Sequence, residues 1–247
     1  MNIFSRSRSL GRTRRAFSRV ELLAITTALF LLALVALPLI ANTPRINLGL
    51  RERSNRIVCL ANLRQIGQAF QLWASDHGDQ NPPFVRTNAG GIYGVPLANN
   101  CWYQFAWVSN ELATPRVLVC PSDTNTTHVA QDFSSDPDGG FLNSAYRNNA
   151  LSYLLSLHAV FYSPSILSGD RNIQPTTSGD SCAYSGLSAV LSLQRRLPIA
   201  EWNNDVHGST GNLLFNDGSA QESSITDLRN ALATPVTGDS IHILLPR

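Results

Sequence analysis

Lysine is absent from all 247 residues, so every one of the nineteen basic side chains is arginine. We read that as a compositional bias without chemical meaning. Short catalytic signatures are missing as well. There is no G-x-S-x-G elbow, no H-E-x-x-H pair and no glycine-rich phosphate loop, which leaves hydrolase, metalloprotease and nucleotide-binding readings without local support. His207, Asp217, Asp170, Asp205 and several serines can be assembled into a hydrolytic triad only on paper, so no enzyme is expected. No C-x-x-C occurs, and no D-x-D-x-D-G array; the first absence ranks zinc below disulfides, and the second leaves calcium to scattered carboxylates. Internal repeats are also absent. A net charge of +2, with 43% hydrophobic and 15% charged residues, gives no basic face for nucleic acid and suits one ordinary globular domain.

The chain does have a sharply asymmetric N-terminus. Arg6, Arg8, Arg12, Arg14 and Arg15 precede an apolar run from Leu22 to Ile40, and no acidic residue comes before Glu21. A nineteen-residue run of this kind is about long enough to cross a hydrocarbon core as a helix. The arginine block should hold residues 1–16 in the cytoplasm and send the rest across. A signal anchor explains the length and the charge. A cleaved secretory signal fits less well, because Ala41-Asn42-Thr43 is a poor small-x-small site. Neither accounts for Glu21, since a carboxylate at the edge of a membrane helix costs a few kcal/mol unless a cation meets it.

The octapeptide Ala16-Phe17-Ser18-Arg19-Val20-Glu21-Leu22-Leu23 resembles the cleavage and methylation signal of type IV prepilins and type II secretion pseudopilins. Ala16 stands where that family most often has glycine, and Arg19 where an apolar residue is usual. The resemblance implies a prepilin peptidase that cuts between Ala16 and Phe17, N-methylation of Phe17, and retention of the apolar run. It also implies that Glu21 pairs with the Phe17 amine of a neighbouring pseudopilin subunit, which turns a costly charge into an assembly signal. Loss of the five leader arginines takes the net charge from +2 to −3. Pro38 reads equally as a kink of the helix or as its end.

Four cysteines, Cys59, Cys101, Cys120 and Cys182, would face the oxidising side of the membrane. An even count there reads as disulfides, with three possible pairings. The preferred one joins Cys59 to Cys120 and Cys101 to Cys182. Cys59, Leu63, Ile66, Phe70 and Trp73 recur at helical spacing, with Arg64, Gln68, Gln71 and Ser75 opposite, so an amphipathic helix over 42–80 should pack on the chain's own sheet. Pro44 should break or bend the path from the membrane part, and Gly78 with Pro82-Pro83 should end the helix.

Beyond Pro83 the pattern predicts a β-rich domain over 81–247. Strands are expected at Gly90–Gly94, Cys101–Phe105 and Leu118–Asp123, with a small helix over 109–113. Polar loops are expected over 125–140 and 173–188. A hairpin should turn at Asn216-Asp217-Gly218, followed by a terminal helix over 227–233 and a last strand over 241–245. His207, with nine residues before Asp217-Gly218, is similar to the H-X9-DG pattern near the C-terminus of many prepilin-like proteins. Asp217 reads as a turn former. The same resemblance allows Ca²⁺ on Asp170, Asp205 and Asp217, although solvated or turn-forming carboxylates are the plainer reading.

Together these features predict an α+β, pilin-like fold: a long N-terminal helix whose second half packs on an antiparallel β-sheet with long loops. The expected protein spans the bacterial inner membrane once, with a periplasmic domain, no resident cofactor and a structural role in a type II secretion filament. The rival expectation is a membrane-tethered monomeric envelope or binding protein that uses residues 20–40 only as an anchor.

Overall fold

The computed structural model describes residues 18–41, 44–157, 165–175, 189–194, 200–233 and 240–246. Ala16, Phe17 and Cys182, with the whole leader 1–16, lie outside them. The chain divides into two compact units, residues 1–49 and 50–247.

The first unit holds helix α1, Arg19–Ala41. It continues through Pro38, so the proline does not mark its end. Arg19–Leu37 is the one described helix long and apolar enough to cross a membrane, and its apolar side chains are exposed. Its N-terminus is a reciprocal capping box. Glu21 accepts a hydrogen bond from the Ser18 N–H (2.9 Å), and the Glu21 N–H donates to Ser18 Oγ (3.2 Å). Each side chain thereby satisfies an N–H that the helix itself leaves free.

Helix α2, Pro44–Ser75, begins at the expected proline, stops short of Gly78 and carries the chain into the second unit. Cys59, Leu63, Ile66, Phe70 and Trp73 are all buried, as the periodicity predicts. They join one core with Tyr153, Leu155, Leu167, Leu214 and Leu244, so this half of α2 lies on a sheet face.

That sheet has six antiparallel strands in the order β4-β8-β1-β2-β6-β7. These are β1 Tyr153–Ser156, β2 Ile166–Asp170, β4 Ala189–Gln194, β6 Gly211–Phe215, β7 Ala220–Ser223 and β8 Ser240–Leu245. Alternation assigns its two faces. Leu154, Ile166, Leu213, Phe215, Ile243 and Leu245 point to a second core, shared with Ile173, Ala200, Trp202, Leu228 and Leu232. Those partners come from a two-stranded ribbon, β3 Ile173–Pro175 with β5 Ala200–Trp202, and from helix α5, Ile225–Ala233. The fold is therefore α+β, with an antiparallel sheet covered on both faces.

Three expected strands are replaced. Cys101–Trp107 forms helix α3, because its aromatic residues fill a gap beside α2: Phe105 meets Phe70 edge-to-face at 5.9 Å. Helix α4, Ser109–Leu112, follows where a small helix was expected. Gly90–Gly94 contributes one isolated bridge, Arg86 with Tyr93, rather than a strand. Leu118–Asp123 begins as the end of a 3-10 turn, Pro115–Leu118, whose proline and Thr114 cap favour a tight turn over a ladder. The segment expected as a loop from Ile173 opens instead with β3, and residues 176–188 lie outside the described residues.

Cys59 and Cys120 form a disulfide with Cα atoms 5.1 Å apart, stapling α2 to the segment before β1. The expected pairing of Cys101 with Cys182 involves a residue outside those described; Cys101 itself is unbonded. It is a free, buried thiol whose sulfur lies 3.5 Å from the carbonyl oxygens of Tyr153 and Leu244.

Candidate functional site

A polar cluster, buried at His207 and Asp170 and open at Glu52, gathers where α2 passes the β5–β6 loop. Glu52 and Arg56 are one helical turn apart and so share a face of α2. Cys59 follows within the next turn, bonded to Cys120. His207, buried in the β5–β6 loop, meets all of them. Its Nδ1 is 2.8 Å from Glu52 Oε1, and its Nε2 is 3.4 Å from Cys120 Sγ and 3.7 Å from Asp170 Oδ2. Because Glu52 can only accept, Nδ1 carries the proton and Nε2 turns a lone pair toward the sulfur. Burial is the leading cause that pushes the His207 pKa down, against the hydrogen bond to Glu52, which raises it. The contact is therefore a hydrogen bond that a neutral imidazole donates to Glu52 at neutral pH.

Asp170 closes the cluster from the end of β2. It is fully buried, and burial drives its pKa up to about 8 despite the Asn212 backbone N–H, which donates to Oδ2 at 2.7 Å, and the nearby Arg56. Its Oδ1 has no hydrogen-bond partner among the described residues. Around it the backbone is tied by amides: Asn172 Nδ2 donates to the carbonyls of Asn203 (2.8 Å) and Thr210 (3.0 Å). Arg56 donates to the His207 carbonyl (3.1 Å) and Thr210 Oγ1 (2.9 Å), and pairs with Glu222 at 3.3 Å.

The other end of the H-X9-DG stretch also rests on α2. Asp217 Oδ1 accepts from the Ser219 N–H (2.8 Å) and hydroxyl (2.6 Å), bonds that hold its pKa below the usual carboxylate value. It is a turn former, as the sequence indicates. Gln71 Nε2 donates to the Asn216 carbonyl at 3.2 Å. The approach is close enough that a Cβ on Gly67 would lie 2.9 Å from Leu214 Cδ1, and one on Gly218 2.9 Å from Gln71 Nε2. Gly218 also sits at φ +83°. The motif is thus a two-point clamp: His207 fixes the β6–β7 hairpin near Glu52 and Arg56, and the Asp217-Gly218 turn fixes it near Gly67 and Gln71. Gly218→Ala should cost about 1 kcal/mol from its left-handed backbone alone, read as a lowered midpoint in urea with an unchanged slope.

The three calcium candidates occupy different settings. Asp170 is buried beside His207, whereas Asp205 and Asp217 lie at exposed turns, Asp205 accepting from Asn203 Nδ2 at 2.9 Å. Among the described residues, the one cluster with metal-ligand character is Cys59, Cys120 and His207. The sequence singled out all three but did not join the histidine to the cysteines. Glu52 and Arg56 escaped notice because a Glu-x-x-x-Arg pair on a helix ordinarily reads as a solvated face. The sulfur facing the imidazole is disulfide-bonded, so it carries no thiol to ionise as a nucleophile. No protein-family model, curated protein or solved structure matches this chain.

Proposed function

We propose that this protein is a pseudopilin-like structural subunit. It is cut between Ala16 and Phe17 by a prepilin peptidase in the bacterial inner membrane, and it assembles through α1 into a periplasmic filament for type II protein secretion. The observation that carries this reading is α1 itself. It is an exposed apolar helix of membrane-spanning length with one carboxylate, Glu21, held at its N-terminal end. That end is also the positive pole of the helix, which favours an anion. A Phe17 amine from a neighbouring subunit would meet Glu21 there, while the apolar faces of adjacent helices bury one another. The second unit, clamped and disulfide-stapled, supplies the periplasmic part of the subunit.

A second reading is favoured by the capping box. Ser18 gives Glu21 a local structural role, so a membrane-tethered monomer also accounts for the carboxylate. Two substitutions separate the readings. Glu21→Gln keeps a residue able to close the capping box but removes the charge; Glu21→Ala removes both. The filament reading expects subunit crosslinking in membranes to be lost in both variants while insertion is retained. Unchanged crosslinking in Glu21→Gln would leave the anchor reading standing. Intact mass and N-terminal peptide analysis give the companion result: N-methylated Phe17 for a subunit, Met1 for an anchor.

A further inference from the structure

The disulfide and His207 place three metal-binding groups around one point, and Asp170 adjoins them on the His207 side. The sulfurs of Cys59 and Cys120 and a ring nitrogen of His207 lie within 4.8 Å of one another, and Asp170 Oδ2 is 3.7 Å from His207 Nε2. We infer that reduction of the disulfide converts this cluster into a zinc site with Cys59, Cys120, His207 and Asp170 as its ligands.

Geometry is the first support. Tetrahedral zinc takes sulfur at about 2.3 Å and nitrogen or oxygen at about 2.0–2.2 Å, so its ligand atoms sit about 3.3–3.8 Å apart. The Cys120–His207 and His207–Asp170 separations, 3.4 and 3.7 Å, already have that spacing. The two sulfurs have to part, and Asp170 has to close on them from its place beside His207. The second support is the tautomer. A zinc-bound imidazole is ordinarily oriented by a carboxylate on its other nitrogen, and Glu52 occupies that position at 2.8 Å from Nδ1. The third is Asp170. Its carboxyl is fully buried, with Oδ2 facing His207 and Oδ1 without a hydrogen-bond partner among the described residues, and a divalent cation on Oδ2 would offset the cost of ionising it there. Two thiolates and one carboxylate around Zn²⁺ leave one negative charge, and Arg56 lies close enough to act electrostatically on both Asp170 and His207.

The chemistry balances with a dithiol reductant. The dithiol passes two electrons and two protons to the Cys59–Cys120 bond, becoming a disulfide and leaving two thiols. Zinc then displaces both thiol protons, together with the proton that the buried Asp170 carboxyl carries, to solvent. Reoxidation by a disulfide-class oxidant re-forms the sulfur–sulfur bond and expels the ion. Disulfide and zinc are mutually exclusive occupants, and either one ties α2 to the Cys120 segment. The inference concerns the globular head and is independent of filament assembly.

The test uses the full chain in detergent, with Cys101→Ala and Cys182→Ser removing the other thiols. After reduction and removal of reductant, one cobalt(II) per chain should bind, with the intense visible bands of a tetrahedral site and a thiolate charge-transfer band, and zinc should displace it. The oxidised chain should show neither. X-ray absorption of the zinc form should count two sulfur and two nitrogen or oxygen ligands. Glu52→Gln should weaken zinc about ten- to a hundredfold in competition with a chromogenic chelator. A reduced chain that keeps its far-UV circular dichroism yet takes no cobalt overturns the inference, as does a ligand shell without sulfur. If reduction unfolds the domain, zinc should restore the spectrum, and a chain that stays unfolded in zinc overturns it equally.

Discussion

Replacing Cys59 and Cys120 together by alanine should lower the stability of the globular unit by about 4 kcal/mol. The bond joins positions 61 residues apart. Loop-closure entropy for cross-links of that size lies between about 3 kcal/mol for a 15-residue loop and about 4.7 for a 100-residue loop. Enthalpic terms act in the same direction here. Cys59 is wholly buried within the stripe that docks α2 on the sheet, and Asn62, one turn further on, donates to the Val119 carbonyl beside Cys120 at 3.1 Å. Losing the staple therefore loosens a hydrogen bond as well as a covalent link. Urea unfolding in detergent with and without a phosphine reductant is the measurement. Reductant should cost the parent protein about the same amount and the double alanine variant nothing. Cys101 does not confuse the comparison, since it is buried and burial pushes its thiol pKa well above the ordinary value, which keeps it protonated and slow to exchange. A loss below about 1 kcal/mol would mean that non-covalent packing alone holds α2 in place.

How far the sequence reveals this molecule depends on the range of each interaction. Hydropathy alone locates α1, and 3.6-residue periodicity locates the half of α2 that packs, because both are local patterns with strong thermodynamic consequences. Asn216-Asp217-Gly218 announces its hairpin for the same reason. The Cys101–Trp107 segment misleads because aromatic residues favour strands on average, while here Phe105 is drawn into a helix by its contact with Phe70. The ribbon of β3 and β5 is built from three-residue strands too short to leave a period. The histidine cluster is the least legible feature. Glu52 lies 155 residues from His207, and only the fold reveals that the histidine of the H-X9-DG stretch meets Glu52 and Arg56 of α2 rather than its own hairpin. The burial of Asp170 is equally hidden, since Gly169-Asp170-Arg171-Asn172 has the composition of a surface turn.

That burial leads to the second large effect, a loss of stability as pH rises from 6.5 to 8. Asp170 is raised from 3.8 to about 8 by desolvation. In a group raised on folding, the native chain keeps a proton that the unfolded chain has released. Its contribution is complete below about pH 4 and declines as pH climbs to about 8. His207 works in the opposite sense. Its pKa is pushed below 6.5, so its share is present above 6.5 and is lost as pH falls beneath that value. The two slopes oppose each other below 6.5, which leaves 6.5–8 as the window in which Asp170 acts unopposed by His207. At about 1.4 kcal/mol per pH unit, the domain should lose about 2 kcal/mol across it, or about 4–8 °C in Tm for a unit of this size. Asp170→Asn isolates the effect. Its carbonyl oxygen can still accept the Asn212 N–H, and its amide imitates the protonated carboxyl without titrating. The variant should match the parent only below about pH 4, should already be the more stable of the two at pH 6.5, and should hold its Tm to pH 8 while the parent falls further. Parallel curves would assign the slope to other groups and would place Asp170 in contact with enough solvent or counter-charge to ionise normally.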